Sequence, residues 1–419
     1  MMATRPLLAF VSLFVAVAYS NRLAAQAARG LALVGATVID GVNARPLPDA
    51  VVLIENGRIA AVGTRARTPI PDGFERKDLT GLTLLPGLID SHVHITFALL
   101  RGPNDPQADA KVNEILREFL RHGVTSIRDV GAGYPWIIDL ARSIDEGRRE
   151  GPRILAAGPM LTAPGGHPAG TLLRGNDGAI ASGTRQITSL EQGRAVVRDL
   201  ATGGVDVIKA VVDSRGRPNS PERLATLDTR VLEAIVAEAH AVGLPVTVHW
   251  GNVDELPAVV ASRPTQLEHA GYAPIPAPVI AGIARAQIVV DPTLTVLSRP
   301  IASADEFAAG PLYNVRRLHE AGVAITAGTD APLSNQRFGD SLHIELELLV
   351  QAGLSPMEAI QAATIRPTRL LTRTQDLGRV QAGARADLIA VAGDPSTEIS
   401  KIRNVRLVIR DGRVWDERQ

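Results

Sequence analysis

Cysteine is absent from all 419 residues, which excludes disulfides, thiolate metal sites and cysteine nucleophiles together. Any metal must then be held by histidine, carboxylate or something less usual. Aromatic residues amount to only 3%, and net charge is missing too, because 44 lysines and arginines balance 44 aspartates and glutamates. A nucleic-acid binder normally carries a basic surplus and stacking aromatics, so the composition speaks against that class. What the chain does have is 45% hydrophobic and 21% charged residues, enough to bury a large core and too apolar for disorder. Its length fits one α/β barrel of ~250 residues plus a smaller module.

The longest apolar run stands at the very start. Arg5 precedes residues 6–19 (PLLAFVSLFVAVAY), and Ala25-Gln26-Ala27 offers the small-x-small pattern of a signal-peptidase site. Residues 1–27 therefore read as a bacterial secretory signal, with the mature chain beginning near Ala28 in the periplasm or outside the cell. A membrane-crossing helix needs about 20 apolar residues, and this run is shorter. An uncleaved anchor is the alternative; after cleavage no membrane association is expected.

From Leu31 the texture is short, β-branched and punctuated by turns, with Glu55-Asn56-Gly57 reading as a hairpin. The same texture returns at 386–391 and at 405–415, around Asp411-Gly412. Neither end has enough strands to bury a core alone, so residues 28–83 and 375–419 are expected to share one small β-sandwich module. Between them, over 84–374, apolar strands alternate with amphipathic stretches such as 112–122 (VNEILREFLRH) and 231–241 (VLEAIVAEAHA). Eight strand candidates occur, near His94, 123, 153, 205, 244, 265, 288 and 325. Eight βα units make an α/β fold of the (β/α)₈ TIM-barrel type, with chemistry at the C-terminal strand ends.

The histidines fall at those ends. The first barrel strand closes with His92-Val93-His94, and a period of two puts both imidazoles on one face, the barrel interior. The fourth carries Lys209, the fifth ends at His249, the sixth at His269 and the eighth at Asp330. Four imidazoles and a carboxylate aimed at one mouth are the donors of Zn²⁺ and its neighbours. Lysine is the odd member, because an ammonium repels a metal. Its neutral amine can instead take up CO₂ to give a carbamate, an anion with two oxygens able to bridge two ions. A salt bridge from Lys209 to Asp206 or Asp330 is the competing reading.

These residues together resemble the amidohydrolase superfamily, in its branch related to imidazolonepropionase that contains Xaa-Pro dipeptidases and ochratoxin-type amidohydrolases. The resemblance runs from about Leu31 to the C-terminus. It is carried by 85–94 (LPGLIDSHVH), 123–129 (GVTSIRD), 206–209 (DVIK), Val248-His249, 267–270 (LEHA), 327–330 (AGTD) and 378–388. It implies that His92, His94 and Asp330 hold one divalent ion, that His249 and His269 hold another, and that a CO₂-derived carbamate on Lys209 bridges them. Zinc is the expected ion. A hydroxide between the metals would attack the scissile carbonyl, with Asp330 catalytic as the proton carrier to the leaving amine. Members with one metal, such as imidazolonepropionase and cytosine deaminase, lack the fourth-strand lysine, so Lys209 points to the binuclear branch.

The expected activity is thus exported, metal-dependent hydrolysis of an amide or peptide bond in a small molecule, of the dipeptide or N-acyl amino acid type. Ring opening of a cyclic amide or imidazolone, or deamination, is the alternative. A non-catalytic relative would usually have lost ligands, and here every position is filled. His167, in Gly165-Gly166-His167-Pro168, resembles a histidine loop that reaches substrate in peptidase-like members, with an ordinary loop residue as the alternative. Tyr272 is a candidate for the pocket wall or for packing. Asp90 is expected to orient a ligand imidazole and Arg128 to pair with Asp129, contact with a substrate carboxylate being its alternative, while His122, His240 and His319 fall on outer helices. His343 fits either a site or a structural role, and homo-oligomerisation is open.

Overall fold

The turn-punctuated start of the chain forms β1 (Gly30–Val38), β2 (Leu47–Glu55), β3 (Arg58–Thr64), β4 (Phe74–Asp78) and β5 (Leu82–Pro86). The computed structural model describes residues 30–418 except 100–106, 217–222, 298–304, 334–335, 371–372 and 374, with the backbone alone for 305–309. The N-terminal apolar run expected as a signal lies outside the described residues. Among those described, no helix is long and apolar enough to cross a membrane. The expected hairpin joins β2 to β3, with Asn56 (φ 51°) and Gly57 (φ 77°) both left-handed, the geometry that a two-residue hairpin turn of matching twist requires.

The barrel region follows. It contains β6 (Leu88–Val93), β7 (Val124–Asp129), β8 (Arg153–Ala156), β9 (Met160–Thr162), β10 (Thr184–Gln186), β11 (Ile208–Val212), β12 (Val246–Trp250), β13 (Gln266–Glu268) and β14 (Val289–Asp291). These strands run parallel in two arcs, β6-β7-β8 and β10-β9-β11-β12-β13-β14. Helices connect them. The one at Ala108–Arg121 buries Val112, Ile115, Leu116, Phe119 and Leu120, the i, i+3, i+4 spacing of one apolar face. Truncating one of these to alanine costs ~2–5 kcal/mol where the cavity cannot collapse. The helix Thr229–Ala241 starts at Asp228, whose carboxylate accepts from Arg230 N–H at 2.9 Å.

The segment expected as an eighth strand is less regular than its neighbours. It makes single parallel bridges, Val290 with Ile325 and Val93 with Ala331. Even so it bonds both arcs: Thr326 N–H donates to Val290 O and Ser91 N–H to Ala327 O, each at 3.0 Å. The segment runs close to β14, where a Cβ on Gly328 would lie 2.6 Å from Asp291 Oδ1, and it leaves the extended conformation at Asp330, φ 58°. The region is TIM-barrel-like.

The chain then returns to its start through β15 (Leu388–Ala392), β16 (Val405–Arg410) and β17 (Arg413–Glu417). All eight end strands form one sheet, in the order β17-β16-β15-β5-β1-β2-β3 with β4 on β1. Alternation on β15 explains how this sheet docks. Leu388 and Ala390 face the core of the end module, whereas Ile389 and Val391 join the core of the barrel.

Candidate metal centre

The expected ligands meet at the C-terminal strand ends. Nε2 of His92 and Nε2 of His94 lie 3.2 Å apart, and Asp330 Oδ1 lies 3.4 Å from the first and 3.3 Å from the second. Tetrahedral coordination with bonds of about 2.0–2.1 Å separates its donors by about 3.3 Å. Nδ1 of His249 and Nε2 of His269 face each other at 2.8 Å. Lys209 lines the same cavity, as do His167, Asp213, Trp250 and Tyr272, with Phe97, Met160, Leu172, Leu297 and Leu333 as apolar walls.

The outward nitrogens of these rings are all engaged. His92 Nδ1–H donates to Glu268 at 2.8 Å, His94 Nδ1–H to Gly131 O at 2.9 Å and His249 Nε2–H to Asp213 at 3.2 Å. His269 Nδ1 bonds Thr293 Oγ1 at 2.7 Å. Carbonyl and carboxylate oxygens only accept, so in their neutral forms His92, His94 and His249 turn lone pairs inward. Three acceptors, His92 Nε2, His94 Nε2 and Asp330 Oδ1, thus converge with no donor among them, an arrangement that a cation stabilises. Burial drives His92 and His269 well below the usual histidine range. Burial would lower His94 as well, but Asp330 reverses the shift, in the direction that a cation at that point would replace.

The salt bridge that was the competing reading for Lys209 is not formed. Its Nζ is buried and has no hydrogen-bond partner among the described residues. Asp206 is occupied elsewhere, by Arg373 and by Ala156 N–H, and Asp330 makes no hydrogen bond to Lys209. Burial lowers the Lys209 pKa against the pull of Glu268 and Asp330, which favours the neutral amine. Asp330 is held below the ordinary carboxylate range, burial being outweighed by His92, His94 and Lys209.

Two candidate ligands carry backbone strain. His269 (φ 73°) and Asp330 (φ 58°) are left-handed, as is Thr293 (φ 47°), each costing of order 1–3 kcal/mol that the surroundings must offset. For His269 the reason is visible. Lys209 pairs with Thr247 and His249 with Glu268 across neighbouring strands, so Gln266 and Glu268 share the inward face and alternation would send His269 away. The left-handed turn brings its ring back, beside His249.

Two expected pairings are corrected. Arg128 does not pair with Asp129; it is 2% exposed and donates to Glu268 at 2.9 Å, to Ser91 O at 2.9 Å and to Gln266. Asp129 instead takes the N–H groups of Ile95 and Gly131. Asp90 orients no imidazole: it accepts from His92 N–H at 3.3 Å and from Thr329 N–H and Oγ1–H at 3.1 and 2.9 Å. The imidazole of His92 is held by Glu268. His343 is buried away from the cavity, its Nε2–H donating to His122 O at 2.9 Å, and His122, His240 and His319 do not line the cavity.

Sequence reasoning passed over Asp213, although the signal was present. It lies two steps of two beyond Lys209, through Val211, at the C-terminal end of β11, where strand alternation places it at the cavity. Glu268 was masked by its neighbour, since consecutive strand residues do not ordinarily serve one site.

Residues 83–415 match the amidohydrolase family, and the chain belongs to it. Members of this family are hydrolases, and this one acts on C–N bonds. Ochratoxinase of Aspergillus niger is 27% identical over 425 aligned positions, covering 89% of this chain and 83% of the relative. A 5-methylthioadenosine/S-adenosylhomocysteine deaminase of Halobacterium salinarum is 28% identical over 400, covering 85% and 81%. Among solved structures, a Xaa-Pro dipeptidase with methionine in its active site superposes with a TM-score of 0.79 at 26% identity, over 92% of this chain and 100% of that one.

Proposed function

We propose that the chain is an exported two-metal hydrolase of linear amides whose leaving group is an amino acid, that is, of dipeptides or N-acyl amino acids. The observation that carries this reading is the meeting of two donor sets in one cavity, His92, His94 and Asp330 on one side and His249 with His269 on the other, beside a buried lysine without a partner. Zinc suits this nitrogen and oxygen donor set. The apolar run at residues 6–19 and the Ala25-Gln26-Ala27 site support export into the periplasm or the medium.

The neutral Lys209 amine would form an N–C bond to CO₂ and lose a proton, leaving a carbamate whose negative charge would help to hold the ions. When bound, two divalent ions supply the charge that polarises the scissile carbonyl and acidifies the attacking water. Asp330 accepts the proton from that water and delivers it to the amide nitrogen as the C–N bond breaks. Glu268, Gly131, Thr293 and Asp213 hold the four rings in place while this happens. His167 and Tyr272, both half-buried in the cavity wall, contact the substrate. Burial pushes His167 down to about 3, so it meets its substrate as a neutral imidazole.

The similarity to a deaminase supports a second reading, attack on a ring or an amidine. Lys209 weighs against it, since the single-metal enzymes that the sequence resembles lack that lysine. The deciding experiment reconstitutes the protein with Zn²⁺ and bicarbonate, counts the ions, and screens dipeptides, N-acyl amino acids and cyclic amides. About two ions per chain and cleavage of linear amides are expected. One ion, or turnover of imidazolones and cyclic imides alone, replaces this reading with the second. N-terminal sequencing of the exported fraction should start near Ala28; an intact Met1 in a membrane pellet overturns export.

A further inference from the structure

Asp213 touches no reacting atom in the mechanism above, yet its two oxygens do different work. Oδ1 accepts the backbone N–H groups of Arg215 and Gly216, both at 2.8 Å, and so ties down the turn that follows β11. Oδ2 lies 3.2 Å from His249 Nε2. The carboxylate is buried, and a Cβ on the neighbouring Gly251 would fall 2.0 Å from its Oδ1, so this glycine leaves room for it. His249 is held on a third side by the ring of His167, stacked at 4.8 Å and 21°. Its remaining nitrogen, Nδ1, faces His269 Nε2.

We infer that Asp213 is a positioning residue that fixes His249 in its Nε2–H tautomer, so that retention of the ion on the His249–His269 side depends on a side chain outside the ligand set. This rests on the two-metal reading. An imidazole carries one proton when neutral; an acceptor at Nε2 places it there and leaves the Nδ1 lone pair for a metal. Because the same carboxylate anchors 213–216, the turn at the cavity wall and the ligand ring are set by one group.

Two substitutions separate this role from simple anchoring of the turn. In Asp213→Asn the two backbone N–H groups keep the amide oxygen at the Oδ1 position, which turns the amide NH₂ towards His249 and demands the opposite tautomer. Asp213→Ala removes the turn anchor but leaves His249 free to adopt either. With metal-free protein titrated with Zn²⁺ against a chelator, loss of such an orienting partner should weaken one of the two ions about 10–100-fold. The asparagine variant should be hit harder than the alanine variant, with the other ion unchanged in both. Equal binding of both ions in all three proteins, or a larger loss in alanine than in asparagine, overturns the inference. Should either variant fail to fold, ¹⁵N shifts of the His249 ring in metal-free wild type decide it: a proton on Nε2 is expected, and one on Nδ1 overturns it. Wild type that binds a single ion removes the two-metal reading instead, and the ring tautomer then judges Asp213 separately.

Discussion

Glu268 on β13 accepts a hydrogen bond from Nδ1 of His92 on β6 at 2.8 Å, across the barrel interior between strands that are not neighbours in either arc. The same carboxylate takes Arg128 from β7 and Thr247 from β12, so the floor beneath the candidate metal centre is polar and fully buried. A floor of this kind turns packing of the interior into orientation of a ligand.

Arg128 should therefore matter to folding before it matters to chemistry. Arg128→Met leaves Glu268 buried without its cation, which costs ~3–5 kcal/mol in comparable pairs. Adding Glu268→Gln should recover part of that loss, because the uncompensated charge goes with it. Denaturant midpoints of the metal-free single and double variants test this. A single variant as stable as wild type would show that the pair is not what holds the floor.

Lys209→Ala should lose at least one ion and nearly all turnover, because the site would miss the anion expected to bridge its halves. Short carboxylic acids added to the variant should restore a fraction of activity. Metal analysis together with the rescue assay is the measurement, and full activity without any added acid would remove the bridge.

Asp330→Asn keeps an oxygen donor and loses the proton acceptor. Removal of a general base ordinarily costs ~10²–10⁴-fold, so kcat should fall by more than metal content does. Wild-type turnover in this variant would leave Asp330 a ligand only.

His167→Ala should keep both ions and impair catalysis through a lost polar contact, raising KM or lowering kcat by the equivalent of roughly 1–3 kcal/mol. Loss of an ion in this variant would move His167 from the substrate to the ligand shell, where its stacking on His249 would be the route.

A pH dependence follows from His343. Burial pushes it down to about 4 from an ordinary value of 6.5. Below pH 6.5 the unfolded chain binds a proton that the folded chain refuses, so this contribution is intact above pH 6.5 and is lost as pH falls towards 4. At ~1.4 kcal/mol for each pKa unit the loss reaches about 3 kcal/mol. His343→Gln should show a correspondingly smaller drop between pH 7 and pH 4.5 in metal-free unfolding, and identical drops in the two proteins would sink the assignment.

Periodicities and their punctuation are local, and they could be read along the chain. Strand and helix spacing located seven of the barrel strands, and the two-residue period of His92-Val93-His94 placed both imidazoles together, because alternation is a local property of an extended chain. The Asn56-Gly57 turn and the sharing of β structure between both ends were likewise legible, the first from the demand for positive φ, the second from strands too few to stand alone, but the end strands form one sheet where a sandwich was expected. What alternation cannot express emerged with the assembled fold. The left-handed φ at His269 returns to the site a ring that pleating would send outward. The partners of Arg128 and Asp90 come from strands distant in sequence, so nearest neighbours such as Asp129 misled. Asp213 became visible once β11 and β12 lay side by side and set its carboxylate against His249. Lys209 was ambiguous for the same reason: an unpartnered amine is a fact about its surroundings in three dimensions, and no spacing along the chain records it.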